Sequence, residues 1–516
     1  MWQDRTVVLG LPLDRVTLNS AVEAVFALAA DYRQDGRPRL VVTINVDFVV
    51  NAHGWFAAVH RHPELLRILR EADLATADGM PLVWASQLLG CALPTRVTGA
   101  DLVPALATAA SARQASLYFL GGRQDITEAA ARLLVEANPG LRIAAVDSPF
   151  VYTEGGKLSS AYEEDTPICE RINAAHPDFL LVAFGNPKQE LWFRRNRHRL
   201  KVPVTIGIGG TFNFITGAVA RAPAWMQRSG LEWVYRMVQE PKRLWRRYAV
   251  GMAKIAWLLA PTLIMDRLPA LLSRRRSETP AAPPVFFSGG TRLRVQPVPT
   301  ALAPDVAAEL GAGLLADRPD VLVLDVSHLH AASPTALAFV AECRRQLGPL
   351  GTDVWVYGIQ PAFRQQLSRS RAWDLLRDSV LERLTDAVPR SAGGAETGRC
   401  MLGFDAGSQV VVVALYGELY TDQLGDLDRS ALAGAIMRRD CIVDLGYCAD
   451  MDGAGTGFLM RLREMTEAGG RQFILCRPGA AVRQILHVNR VSAAGQIAAD
   501  PAQARRRLAE TRQKIS

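Results

Sequence analysis

Short apolar runs alternate with stretches of helical spacing from Arg5 to about residue 210. VVLG (7–10), RLVVTI (39–44), DLATAD (73–78), SLYFLGG (116–122), LRIAAVD (141–147), FLLVAFG (179–185) and VTIGIGG (204–210) predict strands. MPLVWASQLLG (80–90), ITEAAARLLVEANPG (126–140) and PICERINAAHPD (167–178) predict helices between them. Strand then helix, repeated, predicts an α/β domain with a Rossmann-like, mostly parallel sheet covered on both faces. Such sheets bind ligands beyond the carboxyl ends of their strands. The stretch LLVAFGNPKQELWF (181–194) lies at such a point: a buried strand hands over to a helix expected over 187–198, with Pro187 in an early position and three polar residues at the junction.

The pattern changes after residue 221. Residues 221–276 are basic and carry Trp225, Trp233, Trp245 and Trp257, and SETPAAPPV (277–285) reads as a linker. Beyond it the chain repeats itself. Residues 321–367 match 441–486, with Asp325 aligned to Asp444, an offset of 119. Each copy reads strand, helix, strand, helix, with a further strand expected before it (292–295 and 410–415), and a glycine-rich stretch (388–400) separates the copies.

Composition narrows the partners. The chain has 516 residues, 59 Lys and Arg against 51 Asp and Glu, and so a net charge of +8. That balance favours phosphate-bearing or anionic partners. The arginines gather beside an apolar run and no nucleic-acid motif is present, so a membrane surface is the better match. Seven scattered cysteines (91, 169, 343, 400, 441, 448, 476) without a CxxC point to a reducing compartment, with neither a disulfide framework nor a zinc site. No basic segment followed by an apolar run opens the chain, so no signal peptide is expected.

Polar clusters interrupt the strand ends: Thr43 and Asn45; Asp78-Gly79; Arg96, Gly99 and Asp101; Lys188, Gln189 and Glu190; Gly207 to Thr211; and Arg221-Ala222-Pro223. Together they suit group transfer. A carboxylate at a strand end beside a glycine can take a proton from an acceptor hydroxyl, which makes Asp78 the candidate base. Arg96 can grip a phosphate through two parallel hydrogen bonds. Gln189 can donate to phosphate or sugar oxygens, Thr43 and Asn45 can bond a nucleoside, and Gly209 and Gly210 can bring backbone amides near an anion. Simpler readings stand beside these. Asp-Gly after a strand also makes a turn. Lys188 and Glu190 read as a solvated pair or as structural contacts, and Asp101 can simply begin a helix. His53, His60 and His62 lack ligand spacing. DLD (426–428) and DMD (450–452) look like metal-binding motifs but lie in the repeats, away from the strand-end clusters.

TINVDFVV, ADGMPLVWASQLLG, TRVTGADLV, FGNPKQELW, GIGGTFNFITG and RAPAWMQRSGLEWVYRMVQEPKRLWRRY, in this order, resemble the WecG/TagA/CpsF glycosyltransferase family over residues 1 to about 248. The resemblance implies transfer of a sugar from a UDP-sugar to a polyprenyl-diphosphate-linked saccharide in exopolysaccharide or cell-envelope glycan assembly. It implies inversion at the sugar, no cofactor and no required metal, at the cytoplasmic face of the inner membrane. It also aligns the family's base with Asp78 and recurrent arginines of a membrane-associating appendage with Arg221 and Arg236. Arg228, Arg236, Arg243, Arg246 and Arg247 would meet diphosphate and anionic headgroups, and YAVGMAKIAWLLAPTLIM (248–265), interrupted by Lys254 and Pro261, is expected to lie in the interface rather than span it.

Both repeats resemble STAS domains. Where signalling members carry an Asp-Ser phosphorylation site, the first copy has Ser333-Pro334 and the second Asp452-Gly453. Protein docking or self-association is therefore expected in place of a phospho-switch. The expected domains are 1–248 (transferase), 249–289 (membrane segment and linker), 290–387 (first STAS-like), 388–407 (linker), 408–495 (second STAS-like) and 496–516 (polar tail). A second function from another class is a STAS-based docking scaffold of a polysaccharide assembly complex, with a weak or inactive transferase domain. A nicotinamide-dependent oxidoreductase is excluded by the lack of GxGxxG in the first βα unit.

Overall fold

A computed structural model describes residues 4–55, 60–149, 153–154, 157–158, 165–267, 285–288, 291–299, 302–327, 329, 334–381, 387, 400–406, 409–419, 436–489, 491 and 497–515. Ser333, the DLD at 426–428 and most of both expected linkers lie outside these residues. The chain forms two compact units. One runs to Arg275 and also takes in Gln365–Leu375; the other holds the remainder of the C-terminal half.

In the N-terminal unit the elements are β1 (Arg5–Val8), β2 (Leu11–Asp14), α1 (Leu18–Asp35), β3 (Arg39–Ile44), α2 (Val46–Ala52), α3 (Pro63–Glu71), β4 (Leu74–Ala77), α4 (Met80–Leu88), α5 (Gly99–Ala112), β5 (Ser116–Leu120), α6 (Gln124–Ala137) and β6 (Arg142–Asp147). There follow β7 (Thr153–Glu154), β8 (Lys157–Leu158), α7 (Thr166–Ala175), β9 (Phe179–Val182), α8 (Lys188–Asn196), β10 (Val204–Gly207), α9 (Thr211–Ile215), α10 (Ala224–Arg228), α11 (Glu232–Gln239) and α12 (Pro241–Thr262). Six strands form one sheet in the order β4-β3-β10-β9-β5-β6, and every neighbouring pair is parallel. Alternate residues of a strand feed opposite faces. Leu40, Val42 and Ile44 join one core with Leu180 and Val182, while Val41 joins the other with Phe179 and Leu181.

The run 7–10 does not enter this sheet. β1 pairs with β2 in a separate antiparallel hairpin, and polar groups fix it beside β4. Buried Arg5 donates to Asp14 Oδ1 at 2.9 Å, and Asp14 Oδ2 accepts the Ala75 amide at 2.6 Å. The carboxylate thus takes an edge-strand donor that another strand would otherwise take.

The boundary expected at 248 falls inside α12. Ile255, Leu258 and Leu259 of that helix lie in the core of the N-terminal unit, so the run 248–265 packs its inner face on its own domain. Lys254, which broke the apolar run, is buried and donates to the carbonyls of Val50 (2.9 Å) and His53 (2.5 Å) at the end of α2. A cation there meets the negative end of the helix, although burial lowers its pKa to about 8.

The C-terminal unit is built on a ten-stranded sheet. Its strands are β11 (Val285–Ser288), β12 (Thr291–Pro297), β13 (Val321–Asp325), β14 (Asp353–Tyr357), β15 (Val380–Leu381), β16 (Cys400–Ala406), β17 (Val410–Leu419), β18 (Asp440–Met451), β19 (Phe473–Cys476) and β20 (Ile497–Ala498). The order β15-β14-β13-β12-β11-β16-β17-β18-β19-β20 sets the two repeats back to back, joined by antiparallel β11 and β16. Each repeat opens with an antiparallel pair and continues in parallel. The repeat equivalence holds at atomic detail: Asp325 Oδ1 accepts the Ser327 amide at 2.9 Å and Asp444 Oδ1 accepts the Gly446 amide at 3.0 Å. Asp452 caps the helix Gly453–Ala468 by accepting from the amides of Ala454 and Gly455. The segment expected as a polar tail contains β20 and the helix Pro501–Ile515. Ala504 and Leu508, four residues apart, bury themselves against Ile442 and Cys476; two small anchors amid arginines left no visible amphipathic stripe.

Candidate active site

Four strand ends converge on one opening. β3 ends at Ile44, β4 at Ala77, β9 at Val182 and β10 at Gly207, and the turns after them, with α11 and α12 from the other side, enclose a cavity of 1210 Å³. Thr43, Asn45, Asp78, Arg96, Gln189, Gly209, Gly210, Arg221 and Arg236 all line it. The sequence segments that carry them span almost two hundred residues, and the parallel sheet brings them together because every strand points the same way.

Asp78 follows β4 and is held by its own amide, which donates to Ile44 O at 2.7 Å. Its carboxyl is pushed up to about 7, first by burial; the Arg96 cation and the Gly99 amide pull it down, and the Asp101 and Glu232 charges add to the rise. A carboxyl poised there can take a proton at neutral pH. Gly79 adopts φ 139°, a conformation open to glycine, as it turns the chain into α4.

Arg96 does not stand free. Its Nη1 donates to Glu232 Oε2 at 2.6 Å, and the two side chains are 13% and 14% exposed. Arg221 Nη1 donates to Asp101 Oδ1 at 2.7 Å, and its Nε lies 3.5 Å from Glu232 Oε1. Asp101 Oδ2 also accepts from Thr98, the cap of α5, so Asp101 both opens a helix and anchors Arg221. Two hydrogen bonds and the Arg221 cation keep its carboxyl below the ordinary value despite burial. Arg236 lies over the Phe214 ring at 5.1 Å, and its buried Nε has no hydrogen-bond partner. The buried Nε1 of Trp233, on the same wall, has none either.

The KQE triplet performs a different task from the one its chemistry first suggests. Gln189 is 3% exposed, and its Oε1 accepts from the amides of Gly185 (3.2 Å) and Gly209 (3.1 Å). It therefore ties the turn after β9 to the turn after β10, and the Gly209 amide is committed inside the protein. Gln189 Nε2 donates to Glu190 Oε1 at 2.7 Å, and Asn186 donates to Glu190 Oε2 at 3.2 Å while accepting from Asn51 at 2.7 Å. Of the two readings of Glu190, the structural contact holds and the solvated pair does not: it is 1% exposed. Burial pushes its carboxyl up to about 7 against those hydrogen bonds. Gly207 leaves the room for this packing, since a Cβ there would stand 2.5 Å from Gln189 Nε2 and 3.0 Å from Glu190 Oε1.

Thr43 donates to Gly207 O at 3.1 Å and Asn45 caps α2 by accepting from Asp47 at 3.0 Å, so both also brace the strand ends they occupy. Arg247 pairs with Asp47 on the cavity rim. Glu232, Asn51 and Asn186 escaped the sequence reading as site residues, and Trp233 entered it only as part of the basic aromatic segment. Glu232 stood inside a quoted motif, but one acid in the first turn of a helix reads as a response to the helix dipole. His53 and His60 lie apart from the cavity lining, and among the described residues no cluster of His, Cys, Asp and Glu is arranged to hold a metal ion.

Comparison with known proteins gives three results. A model described as "Glycosyl transferase WecG/TagA/CpsF family" matches residues 6–268. Proteins named N-acetylglucosaminyldiphosphoundecaprenol N-acetyl-beta-D-mannosaminyltransferase are similar over the same half. That of Bacillus spizizenii is 29% identical, covering 43% of this chain and 78% of its own length. Those of Bacillus subtilis and Staphylococcus aureus (strain MW2) are 30% and 28% identical, covering 38% and 48% of this chain and 72% and 91% of their own lengths. Among solved structures, the anti-sigma factor antagonist SpoIIAA in its unphosphorylated form matches at 21% identity, covering 21% of this chain and 96% of that one, with a TM-score of 0.19, too low to bear on the C-terminal unit.

Proposed function

The chain belongs to the WecG/TagA/CpsF glycosyl transferase family, and from that premise we propose that its N-terminal unit moves a sugar from a UDP-sugar to a polyprenyl-diphosphate-linked saccharide, in exopolysaccharide or cell-envelope glycan assembly at the cytoplasmic face of a membrane. The observation that carries the reading is Asp78, its carboxyl held at about 7, on the wall of a cavity that Arg96, Arg221 and Arg236 also line.

In the proposed reaction Asp78 takes the proton of the acceptor hydroxyl as that oxygen bonds to the anomeric carbon of the donor. The bond from that carbon to the diphosphate oxygen breaks on the opposite side, and UDP leaves with the electron pair. One displacement inverts the sugar. The arginines offset the charge gathering on the departing diphosphate. Gln189 acts one step back, by holding the two glycine turns in place. No step in this scheme calls on a metal.

The acceptor side of the proposal is supported by the name of the relatives, in which N-acetylglucosamine is carried on undecaprenol diphosphate. Membrane contact is supported by α10–α12 and the residues just after them: Trp225, Val238, Trp245, Val250, Trp257, Ile264 and Met265 are exposed beside arginines. Such a mixture suits a helix lying in the headgroup region.

The test is turnover of the purified chain with a panel of UDP-sugars and a lipid-linked acceptor. Asp78→Ala should cut kcat by about 10²–10⁴-fold while leaving circular dichroism unchanged. In the native protein kcat/KM should rise with pH and level off above about 7, because the base works only when ionised. Turnover unchanged in the variant removes Asp78 from the mechanism.

A further inference from the structure

The cavity is rich in cations: Arg61, Arg96, Arg221, Arg236, Arg246 and Arg247 line it. Among the lining carboxylates, Asp47 is taken by Arg247 and Asp78 is the candidate base. Glu232 is left, and it reaches two arginines at once, Arg96 at 2.6 Å and Arg221 at 3.5 Å. The arginines come from different parts of the fold, Arg96 from the loop before α5 and Arg221 from the segment before α10. A carboxylate and a phosphate present a guanidinium with the same kind of two-oxygen edge. The Glu232 carboxylate therefore fills, with protein atoms, the position a phosphoryl group would take between these cations.

We infer that Glu232 is an internal counter-anion, which holds Arg96 and Arg221 together until an entering diphosphate displaces it. The inference rests on the diphosphate reading of the site. Exchange is favourable because a diphosphate carries more charge than one carboxylate. Arg221 stays anchored through the exchange, since Asp101 holds it at 2.7 Å. Glu232 begins α11 two residues after Gly230, whose φ of 79° makes the turn from α10. The same residue thus keeps unpaired guanidiniums from facing each other and makes entry competitive, which favours ligands with two phosphoryl groups over single anions.

The experiment is calorimetric titration of the full chain with inorganic pyrophosphate and, separately, with orthophosphate. Glu232→Gln should bind pyrophosphate about fivefold more tightly than the native protein, because the competitor has lost its charge. Its preference for pyrophosphate over orthophosphate should narrow. A residue that only orients Arg96 gives the opposite sign, so weaker or unchanged binding in the variant overturns the inference. Failure of the native chain and the variant alike to bind pyrophosphate removes the diphosphate reading itself, and the inference with it. Glu232→Asp, which keeps the charge on a shorter arm, should show a smaller gain of about twofold and serves if the first variant unfolds on thermal melting.

Discussion

Glu190 shows how far a side chain's surroundings can redirect its chemistry. Its neighbours in sequence are polar, yet α8 turns it into the interior, where Gln189 and Asn186 donate to its two oxygens. With the folded carboxyl near 7, above its ordinary value, the protein favours the neutral form. Its contribution to stability is then full at low pH and lost as pH rises through about 7. Glu190→Gln cannot ionise, so between pH 4 and 8 its stability in urea should gain on the native protein by about 1–3 kcal/mol. A pH-independent difference would show that Glu190 has no raised pKa. Gln189 and Asp78 differ in legibility for a related reason. Asp78 was readable because its chemistry is its own. Gln189 was readable as a site residue but not as a clamp, because its partners, Gly185 and Gly209, belong to two different strand ends.

At the level of elements, α12 explains an ambiguity in the hydropathy. The helix is apolar on two sides. Leu244, Ile255, Leu258 and Leu259 are buried, while Trp245, Val250 and Trp257 are exposed. Averaged along the chain, both faces together look like a membrane span, and Leu244–Met265 is long and apolar enough to be one. The buried face and the Lys254 bonds to α2 tie it to its own domain and leave Trp245, Val250 and Trp257 exposed on the outer face. Trp245→Ala with Trp257→Ala should weaken sedimentation with anionic vesicles on the order of tenfold and leave transfer to a short, water-soluble acceptor in place. Vesicle binding equal to that of the native chain would refute the interfacial role. Strand positions were plain from the apolar runs; α1, α3 and α5 were not singled out, and the 248 boundary, placed where the last family motif ends, fell inside α12.

For the whole molecule, duplication has a structural outcome that the repeat pattern alone does not specify. The two modules share one sheet, closing an edge of each on the other at β11 and β16. A polar contact also crosses between them, Tyr447 donating to Asp325 at 3.2 Å. The last helix completes the second module by covering its sheet through Ala504 and Leu508. Leu508, 1% exposed, is the larger of the two. Leu508→Ala should therefore lower the stability of the C-terminal unit by about 2–4 kcal/mol, read as faster hydrogen exchange in β18 to β20, without changing exchange in β3 or β10. Unaltered exchange would mean that 501–515 is dispensable.

The sequence by itself determined the parallel α/β sheet, the duplication and the residues gathered at the strand ends, because hydrophobic periodicity and strand-end position are local properties. Only the tertiary structure decided which of those residues are already paired. Arg96 meets Glu232 across 136 positions and Gln189 meets Gly209 across 20. Hydrogen bonds and ion pairs act over about 3 Å, and chain separation carries no information about which distant groups the fold will bring within that reach.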